Sequence, residues 1–116
     1  MYIETNINRL PLVFMTDSGK NYFQFHINGQ LASLEYYMVG ELQIDLKRLE
    51  ICRYLNQADV GNALIERVLE FAQRSDLKVI PTSPEVKAFL KYRPTYQKLV
   101  AANLELISDS KGQQNK

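Results

Sequence analysis

Between Leu42 and Asn62 the chain sets backbone polar groups where an extended, anionic ligand could use them. Leu42, Ile44 and Leu46 fall two apart, as a half-buried strand requires, but the next apolar residues are Leu49 and Ile51. The phase slips by one at Lys47-Arg48. Such a slip turns every later side chain to the wrong face unless one residue is bulged out of the ladder. A bulge leaves backbone groups unpaired and splays the strand from its neighbour, so an extended ligand can hydrogen-bond along it. The segment Asn56-Gln57-Ala58-Asp59-Val60-Gly61-Asn62 then leads into an amphipathic helix, whose N-terminus is an anion site. A splayed strand feeding an anion-binding helix is the core of an acyl-coenzyme A site.

The elements that must position these groups read as strands first. Leu10 to Met15 predicts an opening strand, closed by Asp17-Ser18-Gly19. Tyr22 to Ile27 alternates, with Phe23, Phe25 and Ile27 on one face and Tyr22, Gln24 and His26 on the other. Asn28-Gly29 is a two-residue hairpin signal, and the returning strand puts Ala32, Leu34, Tyr36 and Met38 on one face. These strands predict an antiparallel meander that continues into Leu77 to Ile80. Val60, Leu64, Val68 and Phe71 have helical spacing, with Ser75-Asp76 closing that helix. Ser83-Pro84 opens a second helix, with Ser83 at the N-cap, which Arg93-Pro94 ends. A last helix is expected from Thr95 to Ile107. The fold class is α+β.

Composition narrows the classes. The chain has 116 residues and a net charge of +1, so nothing in its totals calls for nucleic acid. One cysteine, Cys52, excludes an internal disulfide framework. The chain has no apolar run of membrane-spanning length and no signal-peptide pattern, so a cytoplasmic protein without a membrane partner is expected. Residues 1–107 read as one domain and 108–116 as a disordered polar tail. His26, the single histidine, has no carboxylate or cysteine at metal-ligand spacing, so no metal site is expected.

The span from Tyr22 to Val100 resembles the small single-domain members of the GNAT N-acetyltransferase superfamily. The resemblance rests on NGQLASLEYYM and on the run from LEICRYLNQADVGNALIERVLEFAQ through L-K-V-I-P to the closing Leu-Val. It implies a GNAT-like fold, acetyl-CoA as co-substrate, a pantetheine arm along the splayed strand and a pyrophosphate on a glycine-rich loop. Carried onto this chain, the cofactor-binding positions are Leu49, Ile51, Cys52, Gln57, Ala58, Asp59, Val60, Gly61 and Asn62.

This chain departs from the family pattern at the chemistry. Of the loop glycines only Gly61 stands, and Asp59 is expected to cap the helix itself and repel a diphosphate. Where relatives carry a histidine in the bulged strand and a cysteine after L-K-V-I-P, this chain has Arg48 and Ser83. Arginine cannot serve as a general base, and Ser83 reads better as a cap than as a nucleophile. Glu50, on the face of Arg48, is the catalytic candidate: a carboxylate to take the proton of an attacking amine, the alternative being an exposed or Arg48-paired carboxylate. Lys87, Lys91, Arg93 and Lys98, interleaved with Tyr92 and Tyr96, could meet the 3′-phosphate and adenine of CoA, although a solvated helical face is the plainer reading. Three readings compete: an N-acetyltransferase acting on an unknown amine by direct transfer, a catalytically degenerate GNAT-like binding or regulatory module with weak or no CoA binding, and, a distant third, an unrelated α+β interaction domain.

Overall fold

The computed structural model describes residues 9–101; the tail 108–116 and the end of the helix expected to reach Ile107 lie outside the described residues. One sheet holds β1 (Val13–Asp17), β2 (Lys20–Ile27), β3 (Gln30–Val39), β4 (Gln43–Ile51) and β5 (Lys78–Ile80) in that order. The helices are α1 (Gln57–Arg74), α2 (Pro84–Lys91) and the single turn α3 (Pro94–Gln97).

The first three strands are joined by two-residue turns. Asn28 and Gly29 have φ of 52° and 80°, the paired positive values that a type I′ turn needs to match the twist of its strands. Ser18-Gly19 adopts the same geometry. The resulting register puts Phe23, Phe25, Ile27, Ala32 and Leu34 into the core, where Ile44 and Leu46 join them from β4. Phe23 stacks on Tyr36 with ring centroids 4.2 Å apart. Each fully buried phenylalanine, leucine or isoleucine among these contributes roughly 1.5–3 kcal/mol.

Between β3 and β4 the register shifts: Tyr36 faces Leu46 and Glu35 faces Arg48, leaving Lys47 unmatched. That extra residue keeps Leu49 on the core side with Leu46, although the two are three apart in sequence.

The helix α1 starts earlier than its apolar spacing predicts. Asn56, in the extended region, is the N-cap, and its Oδ1 accepts the N–H of Asp59 at 2.9 Å. Asp59 therefore does not cap the helix; it lies exposed in the first turn. At the other end Asp76 takes φ of 58°, and Leu77 N–H reaches Ala72 O while Asp76 N–H reaches Gln73 O. This pair of bonds is a Schellman stop. Val60, Leu64, Ile65, Val68, Leu69 and Ala72 form the helix's buried side.

The strand β5 corrects the expectation of an antiparallel continuation, because it pairs parallel to β4. The physical reason is the crossover. An 18-residue helix spans roughly 27 Å at about 1.5 Å per residue, enough to carry the chain back to the start of β4. The predicted terminal helix is also corrected. Among the described residues of that stretch only Pro94–Gln97 is helical, and the chain then hooks onto β5: Val79 N–H donates to Leu99 O, and Ala101 N–H donates to Val79 O. No described helix is long and apolar enough to cross a membrane.

Candidate active site

The pairing of β4 with β5 covers only Gln43, Ile44 and Asp45. The last link beyond it is Ser83 N–H donating to Leu46 O. From Lys47 onward the two chains diverge, and a cleft of about 540 Å³ opens there. That lies within the usual range of about 300–1,000 Å³ for ligand sites. Leu49 and Ile51 of β4 form one wall. Gln57, Ala58, Gly61, Asn62 and Ile65 of α1 form the second, and Glu85, Ala88, Phe89, Tyr92 and Arg93 form the third.

Local chemistry explains how each wall is held. Gly61 permits close contact of α1 with β4, since a Cβ there would lie 3.3 Å from Leu49 Cδ2. Gln57 ties down the β4–α1 turn, its Nε2 donating to the carbonyls of Ile51, Cys52 and Leu55 at 3.4, 3.0 and 3.3 Å. Ser83 is fully buried. Its Oγ accepts the N–H of Val86 at 3.4 Å and donates to Glu85 Oε1 at 2.8 Å, so the hydroxyl is engaged as a cap. Arg93 lies over the Phe89 ring, 4.1 Å from its centroid, and Tyr92 stands exposed at the mouth.

Six of the nine sequence-derived cofactor positions come together here: Leu49, Ile51, Gln57, Ala58, Gly61 and Asn62. Three do not line the cleft. Val60 is buried, Asp59 faces solvent, and Cys52 donates its S–H to Gln30 Oε1 at 2.7 Å. The amides of Asp59 and Val60 are taken by the side chain and carbonyl of Asn56. This leaves Gln57 and Ala58 as the first-turn amides without a partner among the described residues. Of the described basic residues, only Arg93 lines the cleft; Lys91 lies against the Tyr92 ring.

Glu50 sits apart, on the opposite face of β4, in register with Ser33 and Gln24. It lines a separate hollow with His26, Gln24 and Tyr22. Arg48 does not pair with it. Its guanidinium faces Glu35 at 3.5 Å across the strands, where that nearly buried carboxylate also accepts the Tyr37 hydroxyl. The hydrogen bond to Glu35 raises the Tyr37 phenol. The wall that sequence reasoning missed is Glu85, Ala88 and Phe89. The signal was there: with Tyr92 they form one helical stripe. No group of described histidines, cysteines or carboxylates could hold a metal ion.

A family model described as GCN5-related N-acetyl-transferase matches residues 22–99. A search of curated proteins returns no match.

Proposed function

Because the chain belongs to the GCN5-related N-acetyltransferase family, we propose that it transfers an acetyl group from acetyl-CoA directly to an amine within one ternary complex. The observation that carries this reading is the divergence of β4 from β5 at Lys47, with an apolar cleft opening there against the N-terminal end of α1. Along β4, the bulged strand offers backbone groups of Leu49 and Ile51 to the pantetheine arm. The free amides of Gln57 and Ala58 and the positive end of the α1 dipole then meet the diphosphate. Tyr92 and Arg93 at the mouth suit an adenine ring and a phosphate.

The amine approaches from the Glu50 face, around the edge of β4 that β5 leaves uncovered. Its ammonium gives one proton to Glu50, directly or through water, and becomes the nucleophile. A C–N bond forms as the thioester C–S bond breaks, and the departing thiolate takes the second nitrogen proton. Backbone amides beside the bulge stabilise the carbonyl oxygen during attack. No acyl-enzyme forms, because Ser83 is buried and engaged as a cap.

Calorimetric or NMR titration with acetyl-CoA tests the reading, with chemical-shift changes expected at Leu49, Ile51, Gln57 and Ala58. Mass-spectrometric capture of an acetylated Ser83 or Cys52 would overturn direct transfer. One observation favours the second reading, a degenerate module with weak CoA binding. The turn that should cradle a diphosphate points three carbonyls at Gln57 Nε2 instead of presenting amides. If that turn limits binding, Gln57→Gly, which removes the side chain holding those carbonyls, should tighten acetyl-CoA; unchanged affinity refutes the limit.

A further inference from the structure

The face of the sheet that carries Glu50 holds a second hollow, of about 450 Å³, whose walls come from β1, β2, β3 and β4. Its floor is Gln24, which is only 7% exposed and held from both sides. The Gln24 amide nitrogen donates to Ser33 Oγ at 3.1 Å, and its carbonyl oxygen accepts His26 Nε2 at 3.1 Å. Met15, Leu31 and the ring of Tyr22 supply apolar surface, and carboxylates stand at Asp17 and Glu50. No lysine or arginine among the described residues lines it. The nearest cations in register are Lys20, opposite Asp17, and Arg48, whose guanidinium is turned to Glu35. The Glu50 carboxylate makes no ion pair or hydrogen bond among the described residues.

The register fixes the spacing of the two carboxylates. Glu50 shares a row with Ser33, Gln24 and Val13, whereas Asp17 lies on β1 near its far end. Three strand spacings of about 4.8 Å and four residues at about 3.3 Å put their α-carbons roughly 20 Å apart along a diagonal. The inward reach of two side chains shortens that for the charges themselves. Both carboxylates line this one hollow, from the two ends of that diagonal.

We propose that this hollow binds a linear polyamine, one ammonium at Asp17, another at Glu50, and the methylene chain over Tyr22, Met15 and Leu31. The proposal rests on the transferase reading for its role, since the Glu50 end lies on the strand whose other face lines the acyl cleft. The hollow is then the acceptor site. Two separated carboxylates with apolar surface between them prefer a dication to a monoamine of equal length, because both ends are neutralised at once.

The experiment is an NMR titration of the protein with spermidine at low salt, without acetyl-CoA. Shift changes are expected at Asp17, Gln24, His26, Ser33 and Glu50. Asp17→Asn and Glu50→Gln should each weaken binding about two- to fivefold, as expected for exposed ion pairs, and butylamine should bind more weakly than spermidine. No saturable change at these residues, or changes confined to the α1–α2 cleft, would overturn the proposal. A separate titration with acetyl-CoA keeps the two readings apart. Binding of acetyl-CoA but not spermidine sinks the acceptor site alone, whereas binding of spermidine but not acetyl-CoA sinks the transferase and leaves the amine site standing.

Discussion

Replacing Gly61 with alanine should separate stability from ligand binding. Gly61 lies in the second turn of α1, and alanine there gains roughly 0.8–1.0 kcal/mol of helix propensity. Against that, the new Cβ would sit 3.3 Å from Leu49 Cδ2, a few tenths of an ångström too close. The atom it meets is the tip of a half-buried side chain on the cleft wall, which can turn away at a rotamer cost of about 0.5–1.5 kcal/mol. The two effects nearly cancel. The net change should stay within about 0.5 kcal/mol, or about 2–4 °C in Tm. Both the new methyl and the displaced leucine enter the cleft. An overpacking penalty of about 1–3 kcal/mol on the bound ligand corresponds to roughly 5- to 150-fold weaker acetyl-CoA binding. Urea denaturation and calorimetry on the same variant supply both numbers. A stability loss above about 2 kcal/mol would mean that Leu49 is locked and the glycine serves the fold. Unchanged affinity with unchanged stability would mean that the ligand does not cross this wall.

Three further outcomes are expected. Ser83→Ala should lower stability by about 1 kcal/mol in denaturant melts through loss of the α2 cap, while turnover with acetyl-CoA changes less than twofold. Glu50→Gln should cut turnover roughly a hundredfold with acetyl-CoA affinity unchanged; the same loss in Glu85→Gln but not in Glu50→Gln would move the base into the cleft. Burial, and then the hydrogen bond to Glu66, raises the Tyr96 phenol to about 12. Its folded pKa exceeds the unfolded value near 10, so this contribution is complete below about pH 10 and is lost as pH rises through about 12. Denaturation midpoints across that window should fall, and Tyr96→Phe should flatten the fall.

What could be read from the sequence was local. The alternation of Phe23, Phe25 and Ile27, the Asn28-Gly29 turn and the Ser83-Pro84 helix start each depend on neighbours only, and each lies where the pattern predicts. The phase slip also falls where the register leaves Lys47 unmatched, because an interrupted period marks its own position. What escaped was decided at a distance. Asn56 and Asp59 are both good caps, and the preceding turn, held by Gln57, favours the first. The run Lys78–Ile80 carries no sign of its direction, which the length of α1 sets. Arg48 finds its carboxylate on the neighbouring strand instead of two residues along its own. The α2 wall of the cleft exists only once α2 rests beside α1.

The backbone fastenings around α2 have a dynamic consequence. Between β5 and Ala101, the α2–α3 segment is moored to the sheet at two backbone points: Ser83 on Leu46, and Leu99 with Ala101 on Val79. An excursion that releases both would swing one wall off the cleft while β1 to β4 and α1 keep their mutual packing. Bulky ligands could then load through a brief sub-global opening rather than by threading. Amide hydrogens of Ser83, Val79 and Ala101 should exchange together, faster than those of Phe25 or Leu34, and a ligand spanning the cleft should slow all three at once.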